Sequence, residues 1–423
     1  MPRQAAAVTN DMFRSLRIRN YRLYWIGQAI SMTGTWLQFI GQALLVLRLT
    51  DSGVALGLVT ACQFVPVLFF GGWAGVLADR VDKRRVMYVT QSAMMLFAFS
   101  LAGLVLGGVV EVGHVYVLAA LTGVAAAFDQ PARRALIGEL VDQDHINNAV
   151  GLSSAVFTGS RVLGPALAGL LIGTVGVGWC FLLNGLSFVG ALAGLALMNP
   201  AEFHPGPRLG KGRGQIRAGV RYVWSSPTLR LTMGLVAVVA VFGFNWQVLV
   251  PLLATRTFHG TATTYTIITS MMSVGSFLGS LWLARRRSIS VQFLALTCVA
   301  FGGASLLFAA SPTVPIAIAT GMVTAALGIT FMSGTMTFVQ VEAVPEMRGR
   351  AMALYTILFM GTTPVGGPIV GWVAEQYSTR AGLALGGLVA VGAGFVALAH
   401  LRRRAEAVVA AAAADTELAL EAA

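Results

Sequence analysis

FTGSRVLGPALAG, residues 157–169, and FMGTTPVGGPIVG, residues 359–371, align without a gap. Phe157, Gly159, Gly164 and Gly169 each find the same residue 202 positions later. Gly71 and Gly75 find Gly275 and Gly279 at nearly the same offset. Self-similarity at that separation means that the two halves share one architecture. A residue breaks the likeness. Arg161 stands inside the otherwise uncharged run 149–175, where the second copy has Thr363. The repeated scaffold therefore does not require the arginine.

Composition fixes the solvent. Of 423 residues, 56% are hydrophobic and 11% charged, and mean hydropathy is +0.76. A soluble chain carries about 25% charged residues. Apolar runs of about 20 residues recur, each long enough to cross the hydrocarbon as a helix. The ten-residue alternation of a membrane barrel is absent. The fold class is therefore all-α: a polytopic membrane protein with twelve transmembrane helices in two pseudo-symmetric six-helix bundles. The spans read 23–47, 54–78, 86–108, 114–137, 148–172, 177–198, 231–254, 262–284, 292–310, 315–341, 351–374 and 380–400.

Charge orients them. An even number of spans leaves both termini on one side. Of 29 Lys and Arg, 25 fall on that side; Arg48, Arg256 and Arg380 face the other, and Arg161 lies within a span. This asymmetry places both termini in the cytoplasm. It also accounts for the net charge of +12 without nucleic acid as a partner. Lys83 and Lys211 are the only lysines, a compositional sign of a bacterial, GC-rich genome and hence of the plasma (inner) membrane. No cleavable leader is expected.

The organisation reads as a cytoplasmic segment 1–22, a six-helix bundle 23–198, a cytoplasmic linker 199–230, a second bundle 231–400 and an Ala-rich cytoplasmic tail 401–423. In the linker, QIRAGVRYVWSSPTLR puts Ile216, Val220 and Val223 on one helical face beside Arg217 and Arg221. Such a helix either lies on the inner membrane surface or is a solvated connector. The Gly-Lys pair upstream lacks phosphate-loop spacing. Cys62, Cys180 and Cys298 lie in separate spans without pairing or metal spacing. His114, His145, His204, His259 and His400 are scattered near span ends. No metal, cofactor or enzymatic constellation is expected.

After the second span the chain reads GGWAGVLADRVDKRR. This resembles the major facilitator signature G-x-L-A-D-R-x-G-R-R, matched here by Gly75, Leu77, Ala78, Asp79, Arg80 and Arg84. Asp82 replaces the usual glycine, and Lys83 stands for arginine. GTWLQFIGQALLVLRLTDSGVALGLV, FDQPARRALIGELV, RVLGPALAG, VPEMRGRAMAL and GTTPVGGPIVGW extend the likeness from Phe13 to Arg404. They are similar to the branch that holds enterobactin (siderophore) exporters and macrolide efflux pumps. The resemblance implies a conformational-switch role for Gly75, Asp79, Arg80 and Arg84, against which stands a simple topology anchor. It also implies a cavity lined by the first, fourth, seventh and tenth spans. A monomer with a small-molecule substrate, a proton as coupling ion and membrane lipids around it is the matching expectation.

Polar groups in apolar helices then become candidates. In the first span Gln28, Ser31, Thr35, Gln38 and Gln42 form a stripe, which faces either a cavity or another helix. Substrate-binding candidates are Trp36, Gln38, Gln42, Arg161, Asn245 and Gln247. A charge at the bilayer centre costs about 2.5–3.5 kcal/mol or more, and such residues mark function by default. Arg161 is expected to be compensated by Asp129 or by an anionic substrate, or to make a buried structural bond. Arg133, one turn after Asp129, competes for the acid. Asp129 lies about 12 Å from its helix end and Arg161 about 20 Å from its own. Asp129 is the first proton-coupling candidate and Glu342 the second.

No ATPase motif is visible, so a gradient must supply the energy. One charge crossing 100 mV yields about 2.3 kcal/mol, and one pH unit adds about 1.4. Proton-coupled export of a small amphipathic compound, drug or siderophore, is the leading reading. Solute uptake or lipid flipping by the same fold is the alternative, and a polytopic membrane enzyme is a third.

Overall fold

The structure is a computed structural model that describes residues 13–204, 215–286 and 288–421. Residues 205–214 of the expected linker lie outside the described residues, as do 1–12. Among the described residues, twelve helices are long and apolar enough to cross a membrane. In the first half they are α1 Arg19–Thr50, α2 Gly53–Arg80, α3 Lys83–Leu106, α4 Val112–Leu140, α5 Ile146–Thr174 and α6 Gly178–Ala196. In the second they are α7 Pro227–Thr257, α8 Ala262–Ala284, α9 Val291–Ala310, α10 Val314–Glu342, α11 Pro345–Gln376 and α12 Thr379–Glu421.

Side chains start these helices where the sequence turns. Ser52, Asp82, Ser226 and Ser290 cap α2, α3, α7 and α9 by accepting backbone N–H groups, which satisfies donors that the first turn leaves free. Asp82 accepts from the N–H of Arg84 at 2.9 Å and of Arg85 at 3.4 Å. That cap gives a local reason for aspartate where the signature has glycine.

The duplication is visible in packing. In the first half α1 packs on α5 and α6, α2 on α4, and α3 on α4 and α6. In the second half α7 packs on α11 and α12, α8 on α10, and α9 on α10 and α12. The repeated glycines do matching work. Gly164 lets α5 lie against Trp36 of α1, and Gly366 lets α11 lie against the Val241 carbonyl of α7. Principal contact between halves runs along two seams, α2 with α11 and α5 with α8.

α12 continues past its apolar run through the Ala-rich tail to Glu421, the helical of the two readings, helix or disorder, that the tail's composition leaves open. Two elements depart from expectation. The seventh span is interrupted: helix Pro227–Phe242 stops, Trp246–Leu252 follows, and a π-turn runs through Leu253–Thr257. The linker helix, Gln215–Ser225, docks on protein rather than standing clear of it. Gly219 abuts Arg350 of α11, the Tyr222 hydroxyl accepts the Val344 N–H at 3.1 Å, and Val223 is buried.

Candidate functional site

The α2–α11 seam is closed at one end and open at the other. The face carrying the Lys- and Arg-rich loops is called the basic face here, and its opposite the far face. Near the far face Gly57 meets Gly367 and Gly53 meets Gly371 backbone to backbone. Eighteen residues is five helical turns, so Gly71 and Gly75 lie on the same lines of α2 as Gly53 and Gly57. At Gly71 and Gly75 an added Cβ would meet nothing within 4 Å. On α11, Gly349 stands eighteen residues before Gly367 and is equally open. The α5–α8 seam repeats this: Gly169 abuts Thr266 at the far end, while a Cβ added at Gly151, five turns away, would meet nothing within 4 Å. The halves therefore form a cleft that opens to the basic face.

Polar contacts reinforce the far-face closure. Arg256 of α7 binds Asp51 at the α1–α2 turn through the carboxylate, Nε to Oδ1 3.3 Å, and through the backbone carbonyl. Glu375 of α11 accepts the Ser52 hydroxyl at 2.8 Å and the Val54 N–H at 3.1 Å. Both sets join one half to the other.

Arg161 stands where closed becomes open. Its helical face runs through Val150, Ser154 and Phe157, all exposed, then through Pro165, Ala168 and Ile172, all buried in the closed end. In the far half of the helix the opposite face, Leu163, Leu167 and Leu170, is apolar and exposed, as a lipid-facing surface should be, whereas Leu152 and Val156 on that side of the basic half are buried. Arg161 thus faces the cleft. Its guanidinium carbon lies 5.1 Å from the Trp36 ring centre and 6.0 Å from that of Phe157. Its Nε is buried without a hydrogen-bond partner. The neighbouring turn is fastened to α1 by Thr33 and Ser160, whose hydroxyls are 3.2 Å apart.

Asp129 does not answer Arg161. It is 1% exposed and forms an ion pair with Arg133, one turn on in α4. Thr90 donates to its Oδ1 at 3.0 Å and Gln91 at 3.4 Å, both from α3. The acid is therefore enclosed between α3 and α4, inside the first half, rather than lining an aqueous cavity. Glu342 is exposed at the basic end of α10 and accepts the Thr228 hydroxyl at 2.8 Å.

Other candidates divide. Gln38 accepts the Asn184 amide of α6 at 2.7 Å, and Gln42 is buried. The α1 stripe is thus largely a helix–helix seam: Gly34 abuts Asn184 and Ser187, and Gly41 abuts Cys180. Asn245 is buried at the α7 break and donates to the Val241 carbonyl at 2.6 Å. It seals the interruption rather than presenting a free amide. Gln247 keeps a buried Oε1 without a partner. Sequence reasoning missed the aromatic group around the break. Phe244 lies 5.4 Å from Trp246, 5.3 Å from Phe301 and 5.8 Å from Phe359, ring centre to ring centre. Phe359 is the repeat partner of Phe157, which was the available signal.

In the signature loop, Arg84 donates to the Leu195 and Ala196 carbonyls at 2.8 and 3.1 Å, binding α3 to the end of α6. Lys83 pairs with Glu139 of α4 at 2.6 Å. Arg80 is exposed, and the Asp79 side chain lies outside the described ones. A concavity of 630 Å³ beside this loop and one of 470 Å³ in a groove between α7 and α12 touch neither Arg161 nor Trp36.

Comparison with known proteins agrees with the fold. A family model described as transmembrane secretion effector matches residues 11–421. The staphyloferrin A transporter of Staphylococcus aureus is 26% identical over 60% of this chain and 64% of that protein. The chain therefore spans just under two thirds of that relative's length. The multidrug efflux pump Tap of Mycobacterium tuberculosis is 27% identical over 86% of this chain and 90% of the pump. The solved nucleoside transporter NupG superposes with TM-score 0.70 over 91% of this chain and 98% of its own, at 15% identity. That last likeness is one of fold alone.

Proposed function

Because this chain belongs to the transmembrane secretion effector family of major facilitator transporters, we propose that it exports a small amphipathic compound, of drug or siderophore type, by proton antiport. The basic face is cytoplasmic in this reading, by the excess of Lys and Arg in its loops, and the membrane is the bacterial plasma membrane. The observation that carries the reading is the cleft, open on that face and closed on the other along both seams. In this state a compound enters from the cytoplasm. The multidrug efflux pump among the relatives supports export over uptake, and the staphyloferrin A transporter supports a small-molecule substrate.

Alternation follows from the glycine spacing. Gly57 and Gly367 meet now; Gly75 and Gly349 are displaced from them by the same five turns on each helix. Rocking one bundle on the other opens the first pair and brings the second together. Gly151 of α5 and Ala284 of α8 stand in the same relation to Gly169 and Thr266. Small residues at all these points let backbones approach closely. Asp79 and Arg80 follow Gly75 within the last two turns of α2, so in this reading the signature loop moves with the seam that must close.

Asp129 is the proton site in this reading. Protonation would cancel its ion pair with Arg133 and change how α3 and α4 pack. Everted vesicles loaded with inside acid test the whole. Compound uptake into the lumen coupled to lumenal alkalinisation is expected. Redistribution of lipid with no response to any compound would replace export by lipid flipping.

A further inference from the structure

The export reading leaves the substrate open, and the following rests on that reading. We propose that the cleft binds compounds bearing an oxyanion, a carboxylate or its like, next to a flat apolar body. Arg161 holds the anion, and Trp36 and Phe157 hold the body.

Four observations converge on Arg161. It faces the cleft at the level where the far-face closure begins. It makes no hydrogen bond or ion pair among the described residues, and its Nε is buried unpartnered. The acids that could neutralise it are taken elsewhere: Asp129 by Arg133, Glu139 by Lys83, and Glu375 by Ser52 and Val54. Finally, the equivalent point of the second half is Thr363, so packing of the repeat does not call for a cation.

The energetic balance favours a ligand over a structural role. An intramembrane cation is costly even on the lenient scale, and cation–π contact with two rings offsets only part of that cost. A bound oxyanion would make charge-assisted, bidentate bonds to the planar guanidinium. Trp36 and Phe157 flank the group, so an aromatic or flat apolar body next to the anion finds rings to pack against. A cationic compound would meet an unneutralised positive charge.

The test uses purified full-length protein in nanodiscs and a matched pair of probes, 1-naphthoate and the neutral 1-naphthamide. Binding is read by calorimetry. The carboxylate is expected to bind about ten-fold tighter or more. The ratio should fall to about one in Arg161→Gln and persist, reduced, in Arg161→Lys. Trp36→Leu should weaken both probes alike. Equal binding of the two probes, binding of neither, or a preference that survives Arg161→Gln overturns the inference. The two readings fail separately. A naphthoate preference in a protein that moves no compound in vesicles defeats export and leaves the anion site standing. Export of a neutral compound unaffected by Arg161→Gln, with no naphthoate preference, does the reverse.

Discussion

Gly57 of α2 and Gly367 of α11 meet across the two halves so closely that a Cβ added to Gly57 would lie 2.6 Å from the Gly367 carbonyl. No side chain fits there without parting the helices, because the obstacle is backbone. Gly57→Leu is therefore expected to hold the far face open. Transport should fall by about ten-fold or more, with insertion and yield unchanged. Labelling of a single cysteine at Ser52 from outside the cell should rise in the same variant. Normal transport by Gly57→Leu would show that this contact is not part of the cycle.

The Asp51–Arg256 bridge crosses the same face but is solvent-exposed on the acid side, 83% against 29% for the arginine. Exposed pairs contribute about 0.2–1 kcal/mol and are screened by salt. Arg256→Gln should shift the balance between closed and open far face by at most about five-fold. The difference from wild type should shrink at high ionic strength. Transport assays at low and high salt measure it.

Asp129 and Arg133 present the opposite case, a pair enclosed between helices. Removing one partner of a buried pair costs about 3–5 kcal/mol. Asp129→Asn should lower the thermal unfolding temperature in detergent, and adding Arg133→Gln should recover part of the loss. If Asp129 also carries the coupled proton, the double variant will be folded yet will not couple transport to a pH gradient in everted vesicles. A double variant that couples normally removes Asp129 from the mechanism.

Asp82 offers a test of the signature loop. Replacing an N-cap aspartate by alanine costs about 0.5–2 kcal/mol, whereas glycine costs a few tenths. Asp82→Ala should reduce thermal stability measurably. Asp82→Gly, which restores the family residue, should leave stability and transport close to wild type. Equal effects of the two would mean that the cap is not what holds this position.

Much of the architecture could be read in the sequence because hydropathy and charge are dictated by the bilayer. The continuous passage of α4 through Pro131 was foreseeable from an apolar run too short to cross alone, and the structure has it. The broken seventh span was not foreseen, because Asn245 and Gln247 were read as polar groups on a continuous helix; the Gly243–Phe244–Asn245 step was the available clue. The α1 stripe shows a different limit. Gln38 lies on the same seven-residue seam as Gly27, Gly34 and Gly41, a pattern of helix packing that polarity alone disguised. The sequence left two partners open for Asp129. Short range prevailed, because Arg133 is one turn away on the same helix, and Arg161 was left facing the cleft alone.

The central claim is that the two seams alternate, and a disulfide between Gly75→Cys and Gly349→Cys tests it most directly. The background should have Cys62, Cys180 and Cys298 replaced by serine or alanine. The pair stands open in the state described here, so cross-linking should be slow at rest. It should accelerate when substrate and a proton gradient drive the far face open, and the cross-linked protein should be inactive until reduced. Vigorous transport with no cross-link under any energised condition would contradict the account.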